Sequence, residues 1–141
     1  MEDPPRAAGS LQPGCGYEEE TAVPRIRILF QVIAWALAAA IIFLSIGPPS
    51  TRPVTGAGQN FEHLTIFLAT GMAFGLGYPS RFRLLFVAMV AFSGAVEIAQ
   101  MMAPGRHARL SDFVMDAAAS CLGVGLSYVL SKLIATRAEK N

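Results

Sequence analysis

The chain has 141 residues, of which 53% are hydrophobic and 15% are charged, and its formal net charge is +1. The apolar share is above the usual range for soluble domains and the charged share is well below it, which favours a one-domain membrane protein. The small net charge gives no indication of a nucleic-acid partner.

The N-terminal segment, residues 1–24, is rich in proline, glycine and acids and includes the acidic run Glu18, Glu19 and Glu20. Such a segment buries too little apolar surface to offset the entropy of ordering the chain. We therefore predict that residues 1–24 form a disordered tail.

Four apolar runs follow, and we expect each to form a transmembrane helix, over about residues 28–46, 61–78, 84–103 and 112–134. Roughly 20 apolar residues span the hydrocarbon core of a bilayer. The first run is longer than the hydrophobic region of a signal peptide and follows a long acidic leader, so we expect it to be retained. The predicted fold class is all-α, a four-helix transmembrane bundle over residues 25–136.

Polar and small residues mark the second and fourth runs. The second opens with Glu62 and His63, and its Gly71 and Gly75 form a G-x-x-x-G pair that lets another helix approach closely. The fourth is rich in small residues over positions 117–125, which suits tight packing against neighbouring helices.

Ionisable residues inside the apolar runs follow helical spacing. Glu97 and Gln100 are three residues apart near the end of the third run and share one face. Asp112, Asp116 and Ser120 are spaced by four and form one stripe. An unpaired carboxylate below the membrane surface costs about 2–3 kcal/mol or more. We therefore expect these acids to have partners.

Basic residues cluster before the first helix, between the second and third helices, and after the fourth helix. With four spans these three places fall on one side, which the positive-inside rule makes cytoplasmic. We predict a multi-pass protein of the bacterial inner membrane with both termini and the tail in the cytoplasm. The clustered bases are Arg25, Arg27, Arg81, Arg83, Lys132, Arg137 and Lys140, while Arg52, Arg106 and Arg109 lie opposite and weaken the bias without reversing it.

This topology gathers polar residues from several segments at the outer end of the bundle. The cations among them are available to the carboxylates, and arginine forks also suit phosphate oxygens. The gathered residues are Glu62, His63, Glu97, Gln100, Arg106, His107, Arg109, Asp112 and Asp116.

Local explanations stay open for several of these residues. Asp112 is also explained as a cap of the fourth helix. His107 and Arg109 are also explained as loop residues facing water, and His63 as an interfacial histidine. Glu97 lies inside an apolar helix where no cap role applies, so we expect it to face the bundle interior, as a functional group or as a member of a structural ion pair.

The order and spacing of these residues resemble the VanZ-like family of small bacterial membrane proteins, over about residues 47–130. The resemblance is carried by His63, the E-x-x-Q pair Glu97 and Gln100, Arg106 six residues before Asp112, then Asp116 and Gly123. The family shows D-K-x-x-H where this chain has Gln59 and Asn60 in place of the acid and the lysine. It usually has Asn at the position of Asp116 and often Gly at that of Ala119.

The resemblance implies a membrane fold and leaves the activity open. The founding VanZ proteins are associated with resistance to glycopeptide antibiotics, teicoplanin in particular, and many relatives have no assigned biochemistry. Resistance is therefore only a family association for this chain.

The first functional hypothesis is that the chain binds or processes an envelope component, such as a lipid-linked headgroup, at the outer leaflet. In an enzyme, Glu97 would be the general base with His63 assisting, and Arg106 would hold an anion. Whether the chain is an enzyme stays open. The other candidate binding residues are Arg109, Gln100, Asp112 and Asp116.

The second hypothesis is a structural or partner-binding membrane protein whose polar cluster is an internal ion-pair network. The small-residue faces at Gly71 and Gly75, and at Ala119 and Gly123, would then pair with another subunit in a homo-oligomer or with another protein. A third hypothesis is a small transporter subunit with Glu97 on the ion pathway. We expect no cofactor, and no set of residues at ligand spacing favours a metal site.

Overall fold

The structure is a computed structural model that describes residues 17–47, 59–101 and 110–138. In these three segments the chain forms four α-helices and no strand. The helices are α1 Tyr17–Ile46, α2 Gln59–Gly77, α3 Phe82–Met101 and α4 Leu110–Ala138. The predicted all-α, four-helix fold is confirmed.

Helix α1 begins at Tyr17, inside the segment predicted to be a disordered tail through Pro24. Proline costs about 3 kcal/mol in a helix interior, yet α1 continues through Pro24. The disordered tail was predicted from the small apolar surface that this segment can bury, whereas glutamates such as Glu18, Glu19 and Glu20 have a high helix propensity. The rest of the predicted tail, residues 1–16, lies outside the described residues.

The helices alternate in direction. Gln31, in the first half of α1, donates a hydrogen bond to the carbonyl of Gly77 at the end of α2, so these two helices are antiparallel. Gln100 near the end of α3 donates to Ser45 near the end of α1, so α1 and α3 run the same way. The chain therefore passes back and forth between two ends of the bundle.

Three helices are long and apolar enough to cross a membrane, over Arg25–Ile46, Phe82–Met101 and Leu110–Arg137. The apolar part of α2, Phe61–Gly77, is shorter. Its 17 residues extend about 25 Å at the helical rise, slightly less than a hydrocarbon core of about 30 Å.

Helix α2 packs chiefly against α4 and, to a smaller extent, against α1. A Cβ atom built on Gly71 would collide with the backbone of Ser120, and one built on Gly75 would collide with the Ser127 side chain. The G-x-x-x-G pair does let another helix approach closely, as expected. That helix is α4 of the same chain, so this face is not left for another subunit.

The buried side chains form two adjoining apolar clusters. One contains Ala34, Ala38, Ala73, Phe74, Leu85, Met89 and Val124, and the other contains Ile41, Phe67, Val96 and Ala119. The second cluster buries Ala119, which the partner-binding hypothesis placed at a contact with another protein. Large apolar side chains such as Val32, Phe43, Val87 and Leu122 point outward. In water this surface would be unfavourable, whereas lipid tails accommodate it.

Charge is separated between the two ends of the bundle. Acids lie where α1 and α3 end and α2 and α4 begin, which we call the polar end, and bases lie at the opposite, basic end. Among the side chains described, the acids are Glu62, Glu97, Asp112 and Asp116, and the bases are Arg25, Arg27, Arg81, Arg83, Lys132 and Arg137.

Candidate binding site at the polar end

Five of the predicted site residues lie at the polar end, and they come from three helices. They are His63 on α2, Glu97 and Gln100 on α3, and Asp112 and Asp116 on α4. Arg106, His107 and Arg109, in the connection between α3 and α4, and Arg52, between α1 and α2, lie outside the described residues. The arginine part of the predicted site therefore stays a prediction.

His63 and Asp116 are in contact at this end. The His63 Nδ1 atom lies 3.5 Å from Asp116 Oδ2, and the two side chains are 29% and 4% exposed. The His63 ring also stacks on Phe67, with the ring centroids 6.4 Å apart and the planes inclined by 20°. A buried carboxylate and an aromatic ring thus fix the orientation of a partly exposed imidazole.

This arrangement determines which nitrogen of His63 is available. Because Nδ1 faces Asp116, a ligand would meet the Nε2 side of the ring. An imidazole oriented in this way by a carboxylate can donate a hydrogen bond to an anion or move a proton. The sequence predicts that His63 assists Glu97 in catalysis, and the structure shows Asp116 as a partner of His63.

Gln100 is buried and connects two helices. Its Nε2 donates a hydrogen bond of 3.3 Å to Ser45 Oγ on α1, and Ser45 is buried as well. Ser45 was not among the site residues predicted from the sequence. A serine in an apolar run commonly bonds a carbonyl of its own helix, so its type and position gave no signal of a contact with α3.

Glu97 lies at the margin of the buried face of α3. That face is formed by Leu85, Met89, Ser93, Val96 and Gln100. Glu97 follows Val96 directly and is half-buried. Gln100, rather than Glu97, is the polar residue of the pair that points fully into the bundle.

Asp112 has a local role. It lies in the first turn of α4, and its Oδ1 accepts a hydrogen bond of 3.1 Å from Ser111 Oγ. A carboxylate there also faces the positive end of the helix dipole. Because α4 begins at Leu110, Asp112 lies inside the first turn and not at the cap position predicted for it. The stripe predicted through Asp112, Asp116 and Ser120 continues inward, since Asp116 and Ser120 are buried.

No three His, Cys, Asp or Glu side chains in the described part of the chain lie together in a way that could hold a metal ion. No family model, no curated protein and no solved structure matches this chain. The resemblance to the VanZ-like family therefore depends on the sequence pattern alone.

Proposed function

We propose that this chain is a VanZ-like membrane protein that binds an anionic, lipid-linked envelope component at its polar end. The observation that carries this proposal is the contact between buried Asp116 and partly exposed His63. In the proposed topology the protein lies in the bacterial inner membrane with both termini in the cytoplasm, and the polar end faces outward.

The cost of burying Asp116 supports a role beyond packing. A buried carboxylate has a large desolvation penalty, and apolar residues of similar volume often stabilise a core as well or better. At this position the carboxylate orients His63, whose ring reaches the surface. Arg106 and Arg109 belong to the connection at the same end and would add donors for phosphate oxygens.

Binding of a polyprenyl phosphate by protein in nanodiscs tests the proposal. The variants are His63→Ala and Arg106→Ala, and the control is Lys132→Gln, which removes a charge at the basic end. We expect each test variant to weaken binding by about tenfold or more, because each loses a charge-assisted hydrogen bond of about 1.5–3 kcal/mol. The control should bind like the wild type.

Equal binding by all four proteins would rule the proposal out, provided that each variant inserts and melts normally. The same variants together with Glu97→Gln, assayed for conversion of the bound component, test the catalytic hypothesis. If a reaction on the bound component is found, we expect His63→Ala to abolish it, since Asp116 orients the His63 ring.

A structural function is the second candidate, and the contact between Gln100 and Ser45 favours it. Both side chains are buried, and each provides a partner for the other. A hydrogen bond between two buried side chains of different helices favours one packing of those helices. If the polar end has only a structural role, each variant of the binding test that weakens binding should also lower the melting temperature in detergent, and by a corresponding amount.

The transporter hypothesis has less support. The buried hydroxyl groups in the middle of the described bundle donate to carbonyls of their own helices, so they offer no chain of polar groups between the ends. These residues are Thr70, Ser93, Ser120 and Ser127.

A further inference from the structure

A lateral groove runs between α1 and α3 from the middle of the bundle toward the basic end. Its volume is about 640 Å³, which is within the range of about 300–1,000 Å³ found for small-molecule sites. Side chains of α2 form its floor, chiefly Phe74 and Tyr78. We call it the α1–α3 groove.

Small side chains create this groove. Ala38 and Ala39 on α1 face Ala88 on α3 across it, where larger residues would fill the space. Ala39 and Ala88 are exposed, and so is Ile42 beside them, so the groove opens onto the outer surface of the bundle. Since this surface belongs to two candidate membrane spans, the groove opens toward lipid.

The groove becomes polar at the basic end. Arg81 lines it there, one residue before the third helix begins. Close by, Trp35 Nε1 donates a hydrogen bond of 3.2 Å to the Tyr78 hydroxyl. Arg81 directly precedes the candidate span Phe82–Met101, which places it at the membrane surface. An apolar slot therefore leads to an arginine at the level of the membrane surface.

A second cavity, of about 650 Å³, adjoins this end of the groove and also includes Arg81. Ser80 and Arg83 line it as well. The second cavity, next to the groove, is thus lined by two arginines and a serine hydroxyl group. Basic side chains at a membrane surface attract anionic lipids by about 1 kcal/mol each.

We propose that the α1–α3 groove binds one anionic phospholipid, with an acyl chain between the two helices and the phosphate beside Arg81. A second copy of the chain fits this groove less well. In a parallel dimer the two sets of bases at the basic end would repel each other, and the glycine face of α2 is already packed on α4. The site lies at the opposite end from His63 and does not depend on the proposed function.

The test uses the full chain reconstituted in vesicles of phosphatidylethanolamine and phosphatidylglycerol, extracted gently, with bound lipid identified by native mass spectrometry. The wild type should retain phosphatidylglycerol. Arg81→Gln should reduce the retained amount at least threefold, while Arg137→Gln, also at the basic end, should not. Ala88→Phe should displace the lipid by filling the groove, while Ala118→Phe, exposed on α4, should have no effect.

A phosphatidylglycerol with a photoreactive acyl chain provides a test that needs no variant. Crosslinks to the wild type should concentrate on groove residues of α1 and α3. Crosslinks spread evenly over all four helices, or no preference for phosphatidylglycerol over phosphatidylethanolamine, would overturn the proposal. So would a dimer that Ala88→Phe dissociates, since the groove would then hold a second copy.

Discussion

Individual residues at the polar end differ in how far the sequence predicted their roles. The sequence placed Asp116 and His63 at the same end of the bundle. It did not predict that their side chains are in contact. Glu97 looked more informative because no cap role explains it. The exposure of a helical residue depends on how the helix is rotated against its neighbours, and spacing within one helix does not determine that rotation. In the structure Val96 and Gln100 take the buried face instead.

The contact between His63 and Asp116 predicts a reversal of sign in a double-mutant cycle. Alone, Asp116→Asn should lower the melting temperature in detergent, because the charge-assisted contact is lost. In a His63→Ala background the same change should raise it, because a buried carboxylate without its partner costs about 1–3 kcal/mol and the neutral amide avoids part of that cost. The measurement is the fraction of monodisperse protein after heating.

The control for this cycle is Thr65→Val on the same helix. Thr65 is exposed and its hydroxyl group donates to the Phe61 carbonyl, so its loss should combine additively with Asp116→Asn. If His63→Ala and Asp116→Asn are also additive, the two side chains are not energetically coupled.

At the scale of elements, α2 and α4 form the tightest pair, and glycine makes it so. The sequence predicted that a helix would approach the face of Gly71 and Gly75, but it could not identify that helix. A G-x-x-x-G pair gives the backbone access without encoding a partner, since small faces occur on both α2 and α4. The long-range contact that selects α4 includes Gly123, which lies against the backbone of Leu68 and Met72.

We predict that Gly123→Ala destabilises the bundle while Gly125→Ala does not. A Cβ atom on Gly123 would collide with the Leu68 carbonyl oxygen and come within 2.8 Å of the Met72 nitrogen. Both are backbone atoms, so α2 and α4 must separate, at a typical overpacking cost of about 1–3 kcal/mol. A Cβ atom on Gly125 would have no atom of another element within 4 Å. The change there should stabilise the helix by up to about 1 kcal/mol through helix propensity.

Thermal denaturation of the two variants in the same detergent measures this difference directly. Because the variants lie in one helix and make the same chemical change, differences in expression or detergent binding should cancel. Equal melting temperatures would show that α2 and α4 are not in close contact in the folded protein.

At the scale of the whole molecule, the directions of the helices show how often the chain crosses the membrane, which hydropathy alone leaves open for α2. Hydropathy and length alone identify three spans and leave α2 short. However, α1 and α3 run the same way, since Ser45 and Gln100 meet near their C-terminal ends. If both helices cross the membrane, the chain must return through α2 between them. The hydrogen bond between Gln100 and Ser45 thus supports the fourth crossing that the four apolar runs predicted.

Cysteine labelling can determine on which side of the membrane the polar end and the basic end lie. Ser80 at the basic end and Ser111 at the polar end are both exposed serines, so they form a matched pair for cysteine substitution. The background carries Cys15→Ser and Cys121→Ser. With four crossings and both termini in the cytoplasm, a membrane-impermeant maleimide should label Ser111→Cys in intact bacterial cells and label Ser80→Cys only after lysis.

The two substitutions also distinguish four crossings from three. If α2 did not cross, Ser80 would lie on the same side as the end of α1, and α3 would carry Ser111 to the other side. With the N-terminus in the cytoplasm, the labelling pattern would then be inverted. Labelling of Ser80→Cys in intact cells would therefore contradict the four-crossing topology or the cytoplasmic N-terminus. Alkaline phosphatase is active only outside the cytoplasm. Fused after Asn141, it should be inactive if the chain crosses four times and its N-terminus is cytoplasmic.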